Sequence, residues 1–322
     1  MRSGVLMIDT SRYSSHIPVL FESCMRLMAP RAGECYADGT MGAGGHSEGI
    51  LNASAPDGRL LAFDLDPDAI ELASERLKKF GSRVQIIRDS YVNIGDYAGE
   101  NSLDGFIVDL GVSSMQLDRQ DRGFSFLHDG PLDMRFSPDQ CFSAEDIVNE
   151  WPEEELERIL WQYGEERKSR QIAAMICAER KINRITTTFQ LRDVILDAAG
   201  NSREKIHPAT RSFQAIRIAV NGELNAVEAV LPAAVKALKP GGRLLVISFH
   251  SLEDRIVKNY FKTESKDCLC PPNQPVCTCG HKAVLKELTR HPVTADEAEI
   301  RVNPRSRSAR LRAAVKIGAE SV

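Results

Sequence analysis

A run of glycines follows a short apolar block near the start of the chain, in Asp38-Gly39-Thr40-Met41-Gly42-Ala43-Gly44-Gly45-His46. Glycines at such a turn let the backbone approach a ligand closely, and a following helix offers free amide groups. Alone, the run is explained equally well by a tight strand-to-helix turn.

The next apolar block ends in Asp64-Leu65-Asp66, where an acid can accept hydrogen bonds from both ribose hydroxyls of an adenosine-containing cofactor. Asp64 is the better candidate because Asp66 is placed to cap a helix. NAD and S-adenosylmethionine both fit this pattern.

A further carboxylate ends a later apolar block, Phe106-Ile107-Val108-Asp109. This position predicts an acid at the carboxyl edge of the sheet, where open α/β folds bind ligands. The lone pair of an exocyclic amine is delocalised into its base, and a carboxylate that accepts the N–H hydrogen bond localises that pair for attack on a sulfonium methyl group. A dehydrogenase has no obvious use for such an acid. Asp109 therefore favours a methyltransferase, and the alternative is an aspartate that caps the next turn.

The elements that must position these residues are short apolar blocks alternating with helical patterns, which is typical of an α/β fold. The blocks predict buried parallel strands at Glu34–Ala37, Arg59–Phe63, Val84–Ile87, Gly105–Val108 and Arg243–Ser248. A helix is predicted after Asp66, with Pro67 in its first turn and Ile70, Ala73 and Leu77 on one face. Lys239-Pro240-Gly241-Gly242 is expected to separate a helix from the fifth strand.

Helical periodicity dominates the middle of the chain and predicts an inserted all-helical domain. The predicted organisation is a core domain formed by residues 1–121 and 220–322, the second part with a basic C-terminal strand, interrupted by helices over 122–219. The chain of 322 residues has a formal charge of −4, so any basic surface must be local. No apolar run is long enough to span a membrane and no secretion signal is evident, so we expect a cytoplasmic protein without a membrane partner.

Two local basic runs are candidates for contact with a nucleic acid. The first combines cations with an aromatic ring that could stack on a base: Arg203, Lys205, His207, Arg211, Phe213 and Arg217, opposed only by Glu204. A salt-bridged helix face is the alternative. The second lies in the tail: Arg301, Arg305, Arg307, Arg310, Arg312 and Lys316. Alternating apolar residues there predict a last strand, so only outward arginines are expected to meet a nucleic acid.

Four of the eight cysteines form two pairs, Cys268-x-Cys270 and Cys277-x-Cys279. Thiols this close could bind a structural Zn²⁺ ion tetrahedrally, although C-x-x-C is the more usual spacing. A reduced surface loop without metal is slightly favoured, because methyl transfer to an amine needs no metal and the cysteines lie outside the blocks that would bind the cofactor. The other cysteines are scattered, which suits a reducing compartment.

Several blocks together resemble the bacterial small-subunit rRNA cytosine-N4 methyltransferase family, also called RsmH or MraW. They are His16-Ile17-Pro18-Val19-Leu20, Asp38-Gly39-Thr40, Gly44-Gly45-His46-Ser47, Asp109-Leu110-Gly111-Val112-Ser113-Ser114, Gln116-Leu117-Asp118, Arg122-Gly123-Phe124-Ser125-Phe126, Gly130-Pro131-Leu132-Asp133-Met134-Arg135 and Ser248-Phe249-His250-Ser251-Leu252-Glu253-Asp254-Arg255. The resemblance spans nearly the whole chain. It implies a class I S-adenosylmethionine methyltransferase (Rossmann-like) fold with a helical insertion. It also implies methylation of N4 of a cytidine in the decoding (P-site) region of 16S rRNA, cytosine 1402 in the family.

Carried over position by position, the resemblance implies a cofactor site. Its members are Gly44, Gly45 and His46 for the methionine part or backbone of S-adenosylmethionine, Asp64 for the ribose, Tyr91 for the adenine, and Asp109 with Gln116 for the remaining wall. For Tyr91 a plain packing role is the alternative.

The substrate side is less defined, because Asp109 is followed by Leu110-Gly111 instead of the Pro-Pro-aromatic sequence of amino-methylating DNA enzymes. We therefore expect Phe124 or Phe126 to hold the cytosine, and His250 to contact base or phosphate unless it is a structural histidine. Further substrate candidates are Asp133 and Arg135.

The expected partner is 16S rRNA or the small ribosomal subunit, and not DNA. Two other classes remain open: an NAD-dependent oxidoreductase, and a non-catalytic rRNA-binding assembly factor with a vestigial cofactor site. The first is disfavoured because no proton-relay Tyr/Lys arrangement is evident.

Overall fold

The computed structural model describes residues 18–200, 206–274 and 276–318, and seven strands lie within them. They are β1 (Cys35–Asp38), β2 (Arg59–Phe63), β3 (Val84–Ile87), β4 (Leu103–Asp109), β5 (Leu238–Ser248), β6 (Leu285–Glu287) and β7 (Arg310–Lys316). They form one sheet in the order β3-β2-β1-β4-β5-β7-β6. The first five strands in that order are mutually parallel, and β7 runs antiparallel to β5 and β6. The sheet confirms the Rossmann-like α/β fold and places the carboxyl ends of β1, β2, β4 and β5 at one edge.

Thirteen α-helices are described in the same ranges. They are α1 (Phe21–Met28), α2 (Gly45–Ala53), α3 (Pro67–Leu77), α4 (Ile94–Tyr97), α5 (Ser114–Asp118), α6 (Ala144–Glu150), α7 (Glu153–Gly164), α8 (Ser169–Glu179), α9 (Thr188–Ala199), α10 (Ala209–Asn221), α11 (Glu223–Ala237), α12 (Ser251–Glu264) and α13 (Glu297–Val302). No single helix among the described residues is long and apolar enough to cross a membrane; α10 and α11 meet the criteria of length and composition only jointly, as a bent pair.

Apolar side chains cover both faces of the sheet. Successive residues of a strand point to opposite faces, and in β4 Phe106 and Val108 join one core while Ile107 joins the other. Residues of α11 and α12 complete the first core, and residues of α1, α2 and α3 complete the second. This double burial explains why the parallel strands appear in the sequence as continuous apolar blocks.

The predicted bounds of two strands and one predicted helix cap are confirmed. β2 and β3 have the predicted bounds, and Asp66 caps α3 by accepting a hydrogen bond from the backbone N–H of Asp68 at 3.1 Å. The start of β5 was predicted wrongly, because it begins at Leu238, which pairs with Leu103, and not at Arg243. The Pro-Gly-Gly sequence lies within the strand, at an irregularity where the register of β4 and β5 shifts. The predicted last strand is confirmed as β7.

The chain divides into two compact units, one formed by the described residues up to Gly111 and from Ala226 onward, the other by Val112–Asn225. The sheet belongs to the first unit. The second contains helices α5 to α10 and has its own apolar core, which includes Leu156, Ile172, Leu191 and Ile216. The predicted helical insertion, 122–219, lies within this second unit.

Candidate active site

The loop after β1 is held by backbone contacts to the neighbouring strands. The N–H of Gly39 donates to the carbonyl of Ile107 in β4, and the N–H of Met41 donates to that of Phe63 in β2, both at 2.8 Å. The loop ends at Gly44, whose φ of 79° lies in the left-handed region that favours glycine, and α2 begins at the next residue. The predicted glycine loop thus leads directly into a helix amino terminus.

Asp38, the last residue of β1, anchors this loop from inside. Its carboxylate accepts hydrogen bonds from Ser47 Oγ at 2.7 Å and from the backbone N–H of Thr40 at 3.1 Å. Burial raises its pKa to about 6. This anchoring role of Asp38 was not predicted from the sequence, although a polar residue at the end of a buried strand signals such a role.

Asp64 ends the adjacent strand β2 and ties the same loop from the other side. One carboxylate oxygen accepts the N–H of Gly42 at 2.8 Å and the other accepts the N–H of Asp66 at 2.9 Å. Burial raises its pKa to about 6. Each carboxylate oxygen has a second lone pair, so these bonds leave Asp64 able to accept ribose hydroxyls as well.

Tyr91 opens a short 3-10 helix that follows β3, and Ser90 caps that helix. The tyrosine is partly buried against the first core, and its Cβ lies where a side chain on Gly39 would otherwise extend. This location places Tyr91 beside the glycine loop and partly against the core, and its contact with adenine stays a prediction.

Asp109 ends β4, and its backbone N–H donates to Thr40 Oγ1 at 2.6 Å. Its side chain is 24% exposed, yet Oδ1 is buried and accepts no hydrogen bond from any residue that the structure describes. Burial raises the pKa of Asp109 well above its ordinary value, and the charges of Asp38 and Glu253 raise it further. A buried carboxylate oxygen without a protein donor is costly for stability, and such groups are characteristic of functional sites.

His46 lies in the first turn of α2, with its ring stacked 6.1 Å from that of Phe21. Its Nε2 is 3.9 Å from Oδ2 of Asp109, beyond hydrogen-bonding distance. Burial lowers the pKa of His46 to about 4, so the imidazole is neutral at pH 7.

His250 follows β5 and precedes α12. Its Nε2 lies 3.2 Å from Oε1 of Glu253, and Oε2 of Glu253 accepts the backbone N–H groups of Phe249 and His250. The residue is the N-cap of α12, but neither ring nitrogen has a hydrogen-bond partner among the described residues, so a contact with base or phosphate stays a prediction. Its side chain is nevertheless close to the edge that carries Asp109, because Ile247 pairs with Asp109 across β4 and β5. Glu253 was overlooked as a site residue, although its charge acts on Asp109.

The remaining cofactor candidate, Gln116, belongs to the second unit. It is buried in α5, and its amide oxygen accepts the N–H of Ser113 at 3.1 Å in a capping box. The structure therefore shows a helix-capping role for this side chain.

The aromatic candidates of the second unit differ in burial. Phe124 and Phe213 lie in its apolar core, with Phe213 4% exposed, so the expectation that either presents its ring to a base was wrong. Phe126 is partly buried and stacks on the exposed ring of His207, with centroids 4.7 Å apart. Phe126 is the phenylalanine of the three that a base could reach.

Several predicted cationic contacts are already paired. Arg217 makes a two-pronged ion pair with Glu223 at 2.8 Å, which corrects the expectation that only Glu204 opposes this run. Arg135 holds Asp133 in the same manner and donates to the carbonyls of Pro138 and Gln140. Arg203 and Lys205 lie outside the described residues, and Arg211 is partly buried in α10.

The cations of the tail divide into exposed and inward ones: Arg301, Arg305, Arg307 and Arg310 are exposed, whereas Arg312 and Lys316 are buried or partly buried. Arg312 is buried and, with Arg310, pairs with Asp254, because both faces of β7 are covered. Lys316 donates to the carbonyl of Leu238, and Arg301 pairs with Glu297 at 3.8 Å. Arg305 and Arg307 are exposed in the 3-10 helix 304–308.

The four paired cysteines lie together between α12 and β6.

Comparison with known proteins places the chain among methylases. The model of the family described as "MraW methylase family" matches residues 13–317. A ribosomal RNA small subunit methyltransferase H from Heliobacterium mobile is 50% identical over 94% of this chain and 99% of its own length. A protein of that name from Geotalea uraniireducens is 52% identical over 94% of this chain and 98% of its own. The structure of an rRNA methylase from Streptococcus thermophilus aligns with a TM-score of 0.42 and 11% identity, covering 92% and 94% of the two chains.

Proposed function

Since the chain belongs to the MraW methylase family, we propose that it transfers a methyl group from S-adenosylmethionine to N4 of a cytidine in the decoding region of 16S rRNA, the position that the family resemblance identifies as cytosine 1402. The observation that supports this most is Asp109, a strand-end acid whose Oδ1 is buried and accepts no hydrogen bond from the described residues. An N–H of the cytosine amino group would supply the missing donor.

The glycine loop fits the cofactor because its backbone, turned by Gly44, presents the amino terminus of α2 at the same sheet edge. Gly44, Gly45 and His46 would hold its methionine part, Asp64 its ribose and Tyr91 its adenine. When bound, S-adenosylmethionine supplies an electrophilic methyl group on a positively charged sulfur. His46 stays neutral because its pKa is about 4, so it does not repel that charge.

Asp109 would act on the acceptor. By accepting a hydrogen bond from N4–H, its carboxylate returns electron density to the nitrogen, whose lone pair is otherwise spread over the ring. As the N–C bond forms and the carbon–sulfur bond breaks, the nitrogen becomes more acidic and loses a proton. The raised pKa of Asp109 suits it to receive this proton. The same raised pKa predicts that the rate falls with decreasing pH, because protonated Asp109 cannot accept.

The test is methyl transfer from labelled S-adenosylmethionine to unmethylated small subunits, naked 16S rRNA and duplex DNA in parallel, followed by digestion to nucleosides and mass identification. We expect N4-methylcytidine from RNA and no label in DNA. The ratio of product from subunits and naked RNA identifies the natural partner. Absence of product from any RNA, with affinity for S-adenosylhomocysteine intact, would instead support a non-catalytic assembly factor. Affinity for NAD would support an oxidoreductase.

A further inference from the structure

The segment between α12 and β6, described over residues 265–274 and 276–284, belongs to the first unit, and its two ends lie close together. At its base, the N–H of Val284 donates to the carbonyl of Glu264 at 2.9 Å, and Nε2 of His281 lies 3.2 Å from the carbonyl of Thr263. The segment contains Cys268, Cys270, Cys277 and Cys279, and the proposed methyl transfer assigns no role to it.

The four sulfur atoms converge to within 4.8 Å of one another. Cys277 Sγ is 3.4 Å from Cys268 Sγ, 3.6 Å from Cys279 Sγ and 4.0 Å from Cys270 Sγ, and the sulfurs of Cys268 and Cys279 are 3.8 Å apart. A tetrahedral zinc site with Zn–S bonds of about 2.3 Å requires its sulfurs to lie about 3.8 Å apart. The observed separations scatter around that value.

Hydrophobic burial does not account for this convergence. Three of the four thiols are exposed and the fourth, Cys270, is only partly buried. A free cysteine normally contributes to a core by burial, whereas here four small side chains turn toward one another on a surface segment. Their arrangement therefore points to a bound group that draws the sulfurs together.

Backbone donors are aimed at the sulfurs as well. The N–H of Leu269 donates to Cys279 Sγ at 3.3 Å, that of Cys270 to Cys268 Sγ at 3.4 Å, and that of Thr278 to Cys270 Sγ at 3.4 Å. Such N–H groups stabilise negative charge on sulfur and orient thiolates around a metal. In each Cys-x-Cys pair, the N–H of the middle residue donates to the second cysteine of the other pair, so the two short turns have the same hydrogen-bonding pattern.

From these distances and donors, we propose that Cys268, Cys270, Cys277 and Cys279 bind one structural Zn²⁺ ion. Thiolates in tetrahedral arrangement favour Zn²⁺ or iron, and four protein ligands leave no position open for catalysis. The sulfur separations fit a single ion. The shortest of them, 3.4 Å, is far above the roughly 2.05 Å of a disulfide. The ion would close the segment just before β6, the edge strand of the sheet.

Metal content of the full-length protein, purified without chelators under reducing conditions, tests this assignment independently of any methyl acceptor. We expect about one Zn²⁺ per chain in the wild type, and loss of most of it in Cys268→Ser and Cys277→Ser. Cys141→Ser, which changes an exposed cysteine outside the cluster, should retain the wild-type content. Replacement by Co²⁺ should give the thiolate charge-transfer absorption of a tetrahedral sulfur site.

Limited digestion with trypsin gives a second measurement, because Lys266 and Lys282 flank the cysteines. Removal of the metal should expose both sites, and added Zn²⁺ should protect them again. A wild-type protein that contains no metal and binds none in a Zn²⁺ titration would overturn the proposal. Iron in place of zinc, or two disulfides by mass in the freshly purified protein, would overturn it as well.

Discussion

Charged side chains are arranged differently in the two units of the molecule. At the sheet edge of the first unit, acids are buried with an oxygen that no described residue satisfies, as in Asp109, or with a pKa raised by burial, as in Asp38 and Asp64. In the helical unit, charged candidates satisfy one another, as Arg217 does with Glu223 and Arg135 with Asp133. Acids whose pKa is raised by burial therefore lie where we place the chemistry, whereas the paired charges of the helical unit stabilise its own fold.

Asp109→Asn tests the centre of this comparison and should have the largest effect. The amide carries no negative charge and cannot take up the proton from N4, so we expect the rate of methyl transfer to fall by about 1,000-fold. Affinity for S-adenosylhomocysteine, measured by calorimetry, should change little. The matched control is Asp96→Asn, an exposed aspartate in α4, which should keep the wild-type rate. A variant Asp109→Asn that transfers methyl groups normally would show that the buried acid at the sheet edge is not the catalytic group.

His46→Gln tests whether burial in the first unit disfavours protonation of the His46 imidazole. The pKa of His46 is about 4 in the folded protein against an ordinary value of 6.5, so between these values the unfolded chain binds the proton preferentially. Lowering the pH from 7 to 4 should therefore cost the wild type about 3 kcal/mol that the glutamine variant does not lose.

The measurement is the free energy of unfolding by urea at several pH values without cofactor. Asp38 and Asp64 are ionised alike in both proteins, so their contributions cancel in the difference. The variant His291→Gln changes an exposed histidine and should follow the wild-type curve. If the difference in unfolding free energy between the wild type and His46→Gln did not change with pH, burial would not lower the pKa of His46 in the folded protein.

Arg217→Ala tests whether the paired charges of the helical unit stabilise its fold. Arg217 was predicted to contact RNA and is found paired with Glu223. Its removal leaves Glu223, a nearly buried carboxylate, without this partner. Breaking a buried pair costs 3–5 kcal/mol, and partial exposure of Arg217 reduces the expected loss to about 2 kcal/mol. Arg158→Ala, which breaks an exposed pair with Glu155 in the same unit, should cost about 0.5 kcal/mol. If Arg217→Ala instead raised the KM for RNA and left the free energy of unfolding unchanged, Arg217 would be an RNA contact.

The sequence was most informative where one strand end determines one residue's location. Parallel strands bring their carboxyl ends to the same edge, so Asp38, Asp64 and Asp109 could be placed together from apolar blocks alone. Pairings across the fold could not be seen in this way: Arg312 meets Asp254 from 58 positions away, and nothing local in either segment indicates the other.

A local signal was available for one of the errors. Ala209, Phe213, Ile216 and Val220 recur at helical spacing, and all four are buried in the core of the second unit. That pattern places Phe213 on the apolar face of α10, and it outweighs the basic residues around it. The composition of a segment therefore says less about binding than the face on which each side chain lies.

Asp64 shares features of both groups of charged residues. It ends a strand of the first unit, yet both its carboxylate oxygens accept hydrogen bonds from backbone N–H groups. If such engagement still allows ligand binding, Asp64→Asn should weaken binding of S-adenosylhomocysteine about tenfold, the loss of roughly one charged hydrogen bond. The rate at saturating cofactor should stay close to that of the wild type, in contrast to Asp109→Asn. Asp57→Asn is the matched control, since Asp57 accepts the N–H of Gly33 at 2.7 Å on the surface. Equal losses of affinity and rate in both strand-end variants would mean that the two acids do not divide binding from chemistry.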